Sequence, residues 1–175
     1  MSIKYLPKDD GVTHINTYSR GRTELGRLLT NFAETPFTHT KYGPFNSVEG
    51  LWYWLKTGKV NNELRDLSGF PAKRQGSEMS SRNKENLVST TSKEFKEDVL
   101  EGIRCKLKQN KYILKMMLET DLPFTHYFWK GDLNNPDVEE LPSCNWLMDE
   151  LERIRSVTKD WLENKEKKRA RPSRQ

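Results

Sequence analysis

Residues 44–58, PFNSVEGLWYWLKTG, are the stretch from which we predict the fold. Asn46 and Glu49, three positions apart, have the spacing of a capping pair that starts a helix, and Gly58 is a typical stop. At about 100° per residue, the apolar residues of this helix fall on one stripe. They are Val48, Leu51, Trp52 and Leu55. The stretch therefore predicts an amphipathic helix packed against a core.

Two charged residues of this helix lie on the border of the apolar stripe. Glu49 and Lys56 are two helical turns apart and lie almost one above the other, with Tyr53 beside them. A carboxylate and an amine that flank an aromatic surface at the edge of a core are typical of a binding or catalytic site. The other interpretation is structural, with Glu49 as a helix cap and Lys56 as its solvated partner.

The composition bounds the class of protein. A chain of 175 residues with 34% hydrophobic residues is long enough for one domain with a core, and no apolar run reaches the ~20 residues that span a bilayer. Its first residues, MSIKYLPKDDG, lack the apolar segment of a signal peptide. Two cysteines, Cys105 and Cys144, form no disulfide framework and match no metal-ligand spacing. We expect a cytoplasmic protein without membrane contact, metal or cofactor.

The net positive charge lies at the C-terminal end. Residues 165–175, KEKKRARPSRQ, contain six of the 30 basic residues and one of the 25 acidic ones, which leaves 24 of each in residues 1–164. We expect residues 165–175 to form a disordered tail, or else to make a weak, salt-sensitive contact with nucleic acid. Residues 1–12 are expected to be loosely ordered, and residues 13–164 to form the domain.

The remaining segments predict a mostly helical α+β domain with a few short strands. Residues 14–18 read as a strand, residues 37–45 as a hairpin and residues 61–67 as a helical turn. Residues 68–92 contain few apolar side chains and read as a long polar loop, in which Lys73 and Arg74 are candidate phosphate ligands.

Two further helices follow from apolar residues at helical spacing. The first begins at Ser92 and breaks near Asn110, and Ser143 caps the second. The stripe of the first comprises Phe95, Val99, Ile103 and Leu107, and that of the second Leu147, Leu151, Ile154 and Trp161.

Two clusters outside these helices have the composition of ligand-binding segments. Arg20, Arg22 and Arg27 alternate with glycines in SRGRTELGR, which suits either a phosphate-binding loop or an exposed turn. The aromatic run HYFW at residues 126–129 precedes Gly131, and its rings can stack on a planar base or fill the side of a core.

Seven blocks of the sequence, in order, resemble the NADAR (YbiA-like) family. The blocks are INTYS, LTNFAETPF, SVEGLWYWLK, PAKRQG, FKEDVLEGIRCKLKQN, FWKGD and CNWLMDELERIR. Glu49 and Lys56 coincide with the Glu and Lys of the family's helix motif at the same spacing, and Asn31-Phe32 with its NF pair. The resemblance covers about residues 14–155.

The resemblance implies a single YbiA-like domain that hydrolyses the N-glycosidic bond between ribose and a base. The substrate would be of the ADP-ribose or ribosyl-phosphate type. Glu49 would stabilise an oxocarbenium-like transition state, and Lys56 would tune its ionisation or hold the sugar or phosphate. Substrate binding would then fall to Asn31, Phe32, Arg20, Arg22, Arg27, Tyr53, His126, Trp129, Asp132 and Asn145.

Four positions depart from the family's pattern. Gly50 replaces a His, Ser92 an aromatic stacking residue, His126 an Asp and Trp146 an Arg. These departures imply a changed pocket on the base side. They leave open a second function, that of a protein that binds and sequesters an ADP-ribose-derived nucleotide without turnover.

Overall fold

The computed structural model describes residues 5–169, most of which lie in helices. The α-helices of the described chain are Glu24–Leu29 (α1), Val48–Lys56 (α2), Gly69–Arg82 (α3), Lys93–Gln109 (α4), Lys111–Leu118 (α5) and Asn145–Arg169 (α6). Its strands are Ile15–Asn16 (β1), Phe37–His39 (β2), Gly43–Phe45 (β3), Phe124–Thr125 (β4), Tyr127–Asp132 (β5) and Asn135–Glu140 (β6). The predicted mostly helical α+β class is confirmed.

The strands pair two by two rather than in one sheet. β1 lies parallel to β4, with Ile15 opposite Phe124. β2 and β3 form the hairpin predicted over residues 37–45. β5 and β6 form a second antiparallel hairpin, in which Asp132 faces Asn135 across the turn.

The core forms where α2 packs against α4. Leu51 is fully buried on α2, and the predicted stripe of α4 from Phe95 to Leu107 is buried as well. The helices approach closely at Gly102, where a Cβ atom would lie 2.3 Å from the Leu51 side chain. This contact confirms the apolar stripes of both helices as the framework of the fold.

The start of α2 differs from the predicted capping pair. Ser47 is the N-cap, and its hydroxyl accepts a 3.0 Å hydrogen bond from the backbone N–H of Gly50. Asn46 instead donates its side-chain amide to the Asp66 carbonyl at 2.9 Å. Glu49 is therefore the second helical residue and is not part of a capping pair. The predicted stop is confirmed, because Gly58 has a φ of 81° just beyond the helix end.

The polar loop predicted for residues 68–92 is wrong over most of its length, because α3 occupies Gly69–Arg82. The buried face of α3 consists of the small residues Ala72, Gly76 and Ser80, four positions apart. A Cβ atom on Gly76 would lie 2.1 Å from the Tyr53 ring of α2. A stripe of small residues fits this close approach and lacks the large apolar side chains that mark a helix in a sequence.

The described N-terminal residues are ordered, contrary to the expectation for residues 1–12. Pro7–Asp9 is a 3₁₀-helix, and the buried Asp10 carboxylate accepts backbone hydrogen bonds from Asn16 at 2.9 Å and Arg22 at 2.7 Å. Residues 1–4 lie outside the described chain.

The C-terminal helix also differs from the prediction. Ser143 lies in a 3₁₀-helix, Pro142–Cys144, rather than acting as the cap of α6. Leu147 and Leu151 are buried as predicted, whereas Trp161 is 57% exposed. Since α6 continues to Arg169, the expected disorder is not found in residues 165–169, and residues 170–175 lie outside the described chain.

None of the helices in residues 5–169 is long and apolar enough to cross a bilayer. The same residues contain no group of His, Cys, Asp and Glu side chains arranged to hold a metal ion.

Candidate functional site

A cavity of about 550 Å³ opens between α2, the β5–β6 hairpin and α6. This volume is in the range of small-molecule binding sites. Its walls come from distant parts of the chain, from Thr17 after β1 to Leu151 on α6. Folding therefore assembles in one place several segments that the sequence separates.

Glu49 lines this cavity and is only 8% exposed. It lies in the first turn of α2, and its backbone N–H donates a 2.8 Å hydrogen bond to the Asn31 carbonyl. No group of residues 5–169 donates a hydrogen bond to its carboxyl oxygens. Its oxygens are not among the buried, unpartnered atoms of these residues, so they reach the cavity, where solvent or a ligand can bind them.

Burial raises the pKa of Glu49 to about 7, against the opposing effect of the Lys73 ammonium. The carboxyl therefore exchanges its proton near neutral pH. A group of this kind can accept a proton in one step and return it in the next.

The cation that acts on Glu49 is Lys73 of α3 rather than Lys56. Lys73 lines the cavity, with its ammonium 5.7 Å from the centre of the Phe32 ring. Lys56 lies seven residues beyond Glu49, about 10.5 Å along the helix axis. It rests over Tyr53, 5.5 Å from the ring centre, and is not part of the cavity wall.

Tyr53 faces the cavity between α2 and α3. Its hydroxyl lies 3.1 Å from the hydroxyl of Ser77, and burial raises its pKa. Asn31 and Phe32 also line the cavity. The structure thus brings three of the predicted binding residues beside Glu49.

Lys106 supports this wall from behind. It is 1% exposed, and its ammonium donates hydrogen bonds to the carbonyls of Leu28 at 2.6 Å and Thr30 at 2.9 Å. Burial lowers its pKa to about 7. The two bonds fix the end of α1, directly before the cavity residue Asn31.

The aromatic run of residues 126–129 divides between cavity and core. Tyr127 points into the core, where its hydroxyl lies 2.7 Å from Nε2 of His14. His126, Phe128 and Trp129 line the cavity. The sequence left open whether these rings face a ligand or fill the core. Tyr127 fills the core, whereas the other three line the cavity.

His126 is held in place by backbone. Its Nδ1 lies 2.9 Å from the Thr17 carbonyl, and burial lowers its pKa. The neutral ring therefore predominates at neutral pH, with Nδ1–H as the donor to Thr17. Its Nε2 is then left as an acceptor.

The arginine cluster separates into one cavity residue and two structural residues. Arg20 lines the cavity. Arg27 donates to the carbonyls of Gly21 at 2.8 Å and Arg22 at 3.0 Å, and Arg22 donates to the carbonyl of Lys8. These bonds close the loop before α1, so Arg22 and Arg27 do not serve as a phosphate-binding cluster in this structure.

Two further predicted binding residues also lie outside the cavity wall. Asp132 accepts a 2.7 Å hydrogen bond from the Asn134 backbone N–H and thereby closes the β5–β6 turn. Asn145 is exposed at the start of α6. Each matches a block of the resemblance in sequence without contributing to the cavity.

Sequence reasoning missed the residues that β6 and α6 contribute to the cavity. β6 brings Asp137 and Glu139, and α6 brings apolar side chains such as Met148. The strand NPDVEE has few of the β-branched and aromatic residues that mark strands, so the sequence carried no signal for it. Phe70, an aromatic beside Pro71 in a polar segment, was a signal that could have been used.

The residues that depart from the family's pattern lie in different parts of the structure. A Cβ atom on Gly50 would lie 2.4 Å from the Leu64 carbonyl oxygen, so this backbone leaves no room for a His. Ser92 is the N-cap of α4 and is not in the cavity wall. Trp146 stacks on the cavity residue Trp52, with ring centres 6.2 Å apart.

The chain matches none of the protein-family models, curated proteins or solved structures with which it was compared. Its function is therefore argued from the cavity and the side chains that line it.

Proposed function

We propose that this protein is an N-glycosidase that hydrolyses the bond between ribose and a base in an ADP-ribose-type or ribosyl-phosphate substrate. One observation carries the proposal. Glu49 presents to the cavity a carboxyl that accepts no hydrogen bond from residues 5–169, and its pKa is about 7. A structural carboxylate at a helix start would instead be paired or solvated.

The chemistry requires one charged group at this place. As the C1′–N bond breaks, the electron pair leaves with the base and the sugar becomes oxocarbenium-like. The ionised Glu49 stabilises that cation and accepts a proton from the attacking water. The water oxygen bonds to C1′, and the proton passes to the nitrogen of the departing base.

The other cavity residues match the parts of such a substrate. The aromatic side chains of Trp129 and Phe128 offer faces for a planar base. The cations Arg20 and Lys73 suit a phosphate, and Lys73 takes the place that was predicted for Lys56. The cavity thus combines the Glu49 carboxylate with aromatic faces and with cations that suit a phosphate, beside the carboxylates of Asp137 and Glu139 on β6.

The resemblance to the NADAR family supports the same activity. Asn31, Phe32, Glu49 and Trp129 belong to three separate blocks that resemble the family, and all four line the one cavity. Their shared location supports the resemblance, whereas Lys56, Asp132 and Asn145 of the same set of blocks lie outside the cavity.

A nucleotide-binding protein without turnover is the second candidate function. It is favoured by the position of Lys56, because half of the predicted catalytic pair lies outside the cavity. A pocket can retain its ligand after its chemistry is lost.

Incubation of the protein with candidate substrates, followed by mass spectrometry, separates the two functions. The candidates are ADP-ribose-modified nucleosides, cyclic nucleotides derived from NAD and ribosylaminopyrimidine phosphates. In H₂¹⁸O, the enzyme should release free base and place one ¹⁸O on C1 of the ribose product. An unchanged nucleotide that co-purifies with the protein would indicate the binding protein. If no candidate is either hydrolysed or bound, both proposed functions are contradicted.

A further inference from the structure

The C-terminal part of α6 contains no buried residue. Arg155 is the last buried residue of the helix, and Ser156–Arg169 contains none. At 1.5 Å per residue, this segment is about 21 Å long. Lys159 still bonds to Asp121 at 2.5 Å, and beyond it residues 160–169 are all exposed, so this end of the helix projects with its surface free for a partner.

The apolar stripe of α6 continues along this projecting segment. Leu147 and Leu151 are buried on the stripe, and Ile154 packs against the core. Further along the same side, Val157 is 53% exposed and Trp161 57% exposed. Large exposed apolar side chains that extend a buried stripe mark an interaction surface more often than isolated ones do.

The cations and the carboxylates of the segment lie on different sides of the helix. At about 100° per residue, Val157, Trp161 and Leu162 share an arc of about 140° with three cations. These cations are Lys165, Lys168 and Arg169. The ammonium of Lys165 lies 4.7 Å from the centre of the Trp161 ring, in agreement with that arrangement.

The acidic residues lie on the other side of the helix. Asp160, Glu163 and Glu166 fall outside the arc, where Lys167 pairs with Glu163 at 3.9 Å. The exposed stripe therefore carries aromatic, aliphatic and cationic side chains and no carboxylate. We call this surface, formed by Val157, Trp161, Leu162, Lys165, Lys168 and Arg169, the basic stripe.

We propose that the basic stripe binds a single-stranded nucleic acid. Cations along a row neutralise the phosphates, and an exposed aromatic ring stacks on an unpaired base. Only three apolar side chains lie on the stripe, too few for a helix that inserts into a lipid surface. This surface is separate from the cavity and does not depend on the proposed hydrolase activity.

The test measures the affinity of the full-length protein for a fluorescein-labelled single-stranded oligonucleotide by anisotropy, at several salt concentrations. With three phosphate contacts, log K should fall with log salt with a slope of about −2. Trp161→Ala should weaken binding by about tenfold or more and leave the melting temperature unchanged. Tyr112→Ala on α5 is the matched control, because Tyr112 is similarly exposed at 52% and is not part of the basic stripe.

Two adjacent lysines provide a second matched pair. Lys168→Gln removes a cation from the basic stripe, whereas Lys167→Gln removes the same charge from the opposite side. The first change should reduce the affinity and the salt slope more than the second. Equal effects of the two would contradict the proposal.

Two further results would also overturn the proposal. One is binding to vesicles that contain phosphatidylserine, without binding to the oligonucleotide. The other is a dimer that Trp161→Ala dissociates, again without oligonucleotide binding, which would assign the stripe to a second copy of the chain.

Discussion

Glu49 makes the stability of the fold depend on pH. Its pKa is about 7 in the folded protein and 4.5 in its ordinary state, so the folded state holds the proton more tightly. Below pH 4.5 the carboxyl is protonated in both the folded and the unfolded state, and no stability is lost. As the pH rises from 4.5 to 7, the unfolded state ionises first and stability falls, and the full loss remains above pH 7.

We therefore expect Glu49→Gln to stabilise the protein at pH 8 and not at pH 4. The neutral amide avoids the cost of the buried charge, which amounts to about 3 kcal/mol at pH 8. Melting temperatures of both proteins across this pH range measure the effect. The exposed Glu85→Gln is the control, and equal melting curves at pH 8 for wild type and Glu49→Gln would contradict the burial argument.

Trp129→Ala should weaken ligand binding with little effect on folding. Base–aromatic stacking contributes about 1–3 kcal/mol, or roughly ten- to a hundredfold in affinity. Trp54→Ala is the comparison, because Trp54 is only 5% exposed in the core and its loss should cost about 3–5 kcal/mol of stability. A large fall in melting temperature with unchanged affinity would place Trp129 in the core.

At the scale of elements, α3 depends on its small residues. Gly76→Ala would ordinarily stabilise a helix by about 1 kcal/mol. Here the new Cβ would meet the Tyr53 ring at 2.1 Å, so we expect a net loss of about 1–3 kcal/mol and a displaced Tyr53 in the cavity wall. Denaturant unfolding of Gly76→Ala and of the exposed control Glu78→Ala measures this, and a more stable Gly76→Ala would disprove the close contact.

Apolar periodicity decided which elements could be predicted from the sequence. The helices α2 and α4 have large apolar residues at helical spacing and were predicted, along with the β2–β3 hairpin. The helix α3 was missed because its buried face is Ala, Gly and Ser, and Lys73 was consequently assigned to a loop. The strand β6 was missed because its acidic sequence has little strand propensity.

The candidate site was predictable only where a motif coincided with a wall of the cavity. Glu49, Asn31 and Trp129 were predicted and line the cavity. Lys56 was predicted from its angular position and from the family's helix motif, although the rise of the helix places it about 10.5 Å along the axis from Glu49. The contribution of α6 depends on tertiary packing, for which a single sequence gives no direct signal.

At the scale of the whole molecule, the end of α6 should be dispensable for the cavity. Truncation after Asn164 removes residues 165–169, which are exposed and whose contacts, from Lys165 to Trp161 and from Lys167 to Glu163, stay within the helix, together with residues 170–175, which lie outside the described chain. We expect an unchanged melting temperature and unchanged turnover, with weaker oligonucleotide binding. A loss of soluble protein or of activity would show that this segment packs on the body.

The most direct test of the proposed activity compares turnover by wild type and Glu49→Gln on the substrate that releases base. The substitution keeps size and shape and removes the charge that stabilises the oxocarbenium-like sugar, an interaction that strengthens only as the bond breaks. We predict that kcat falls by several orders of magnitude while the affinity for the substrate is retained and the variant remains folded. A variant that folds, binds and turns over substrate like wild type would contradict the catalytic role of Glu49.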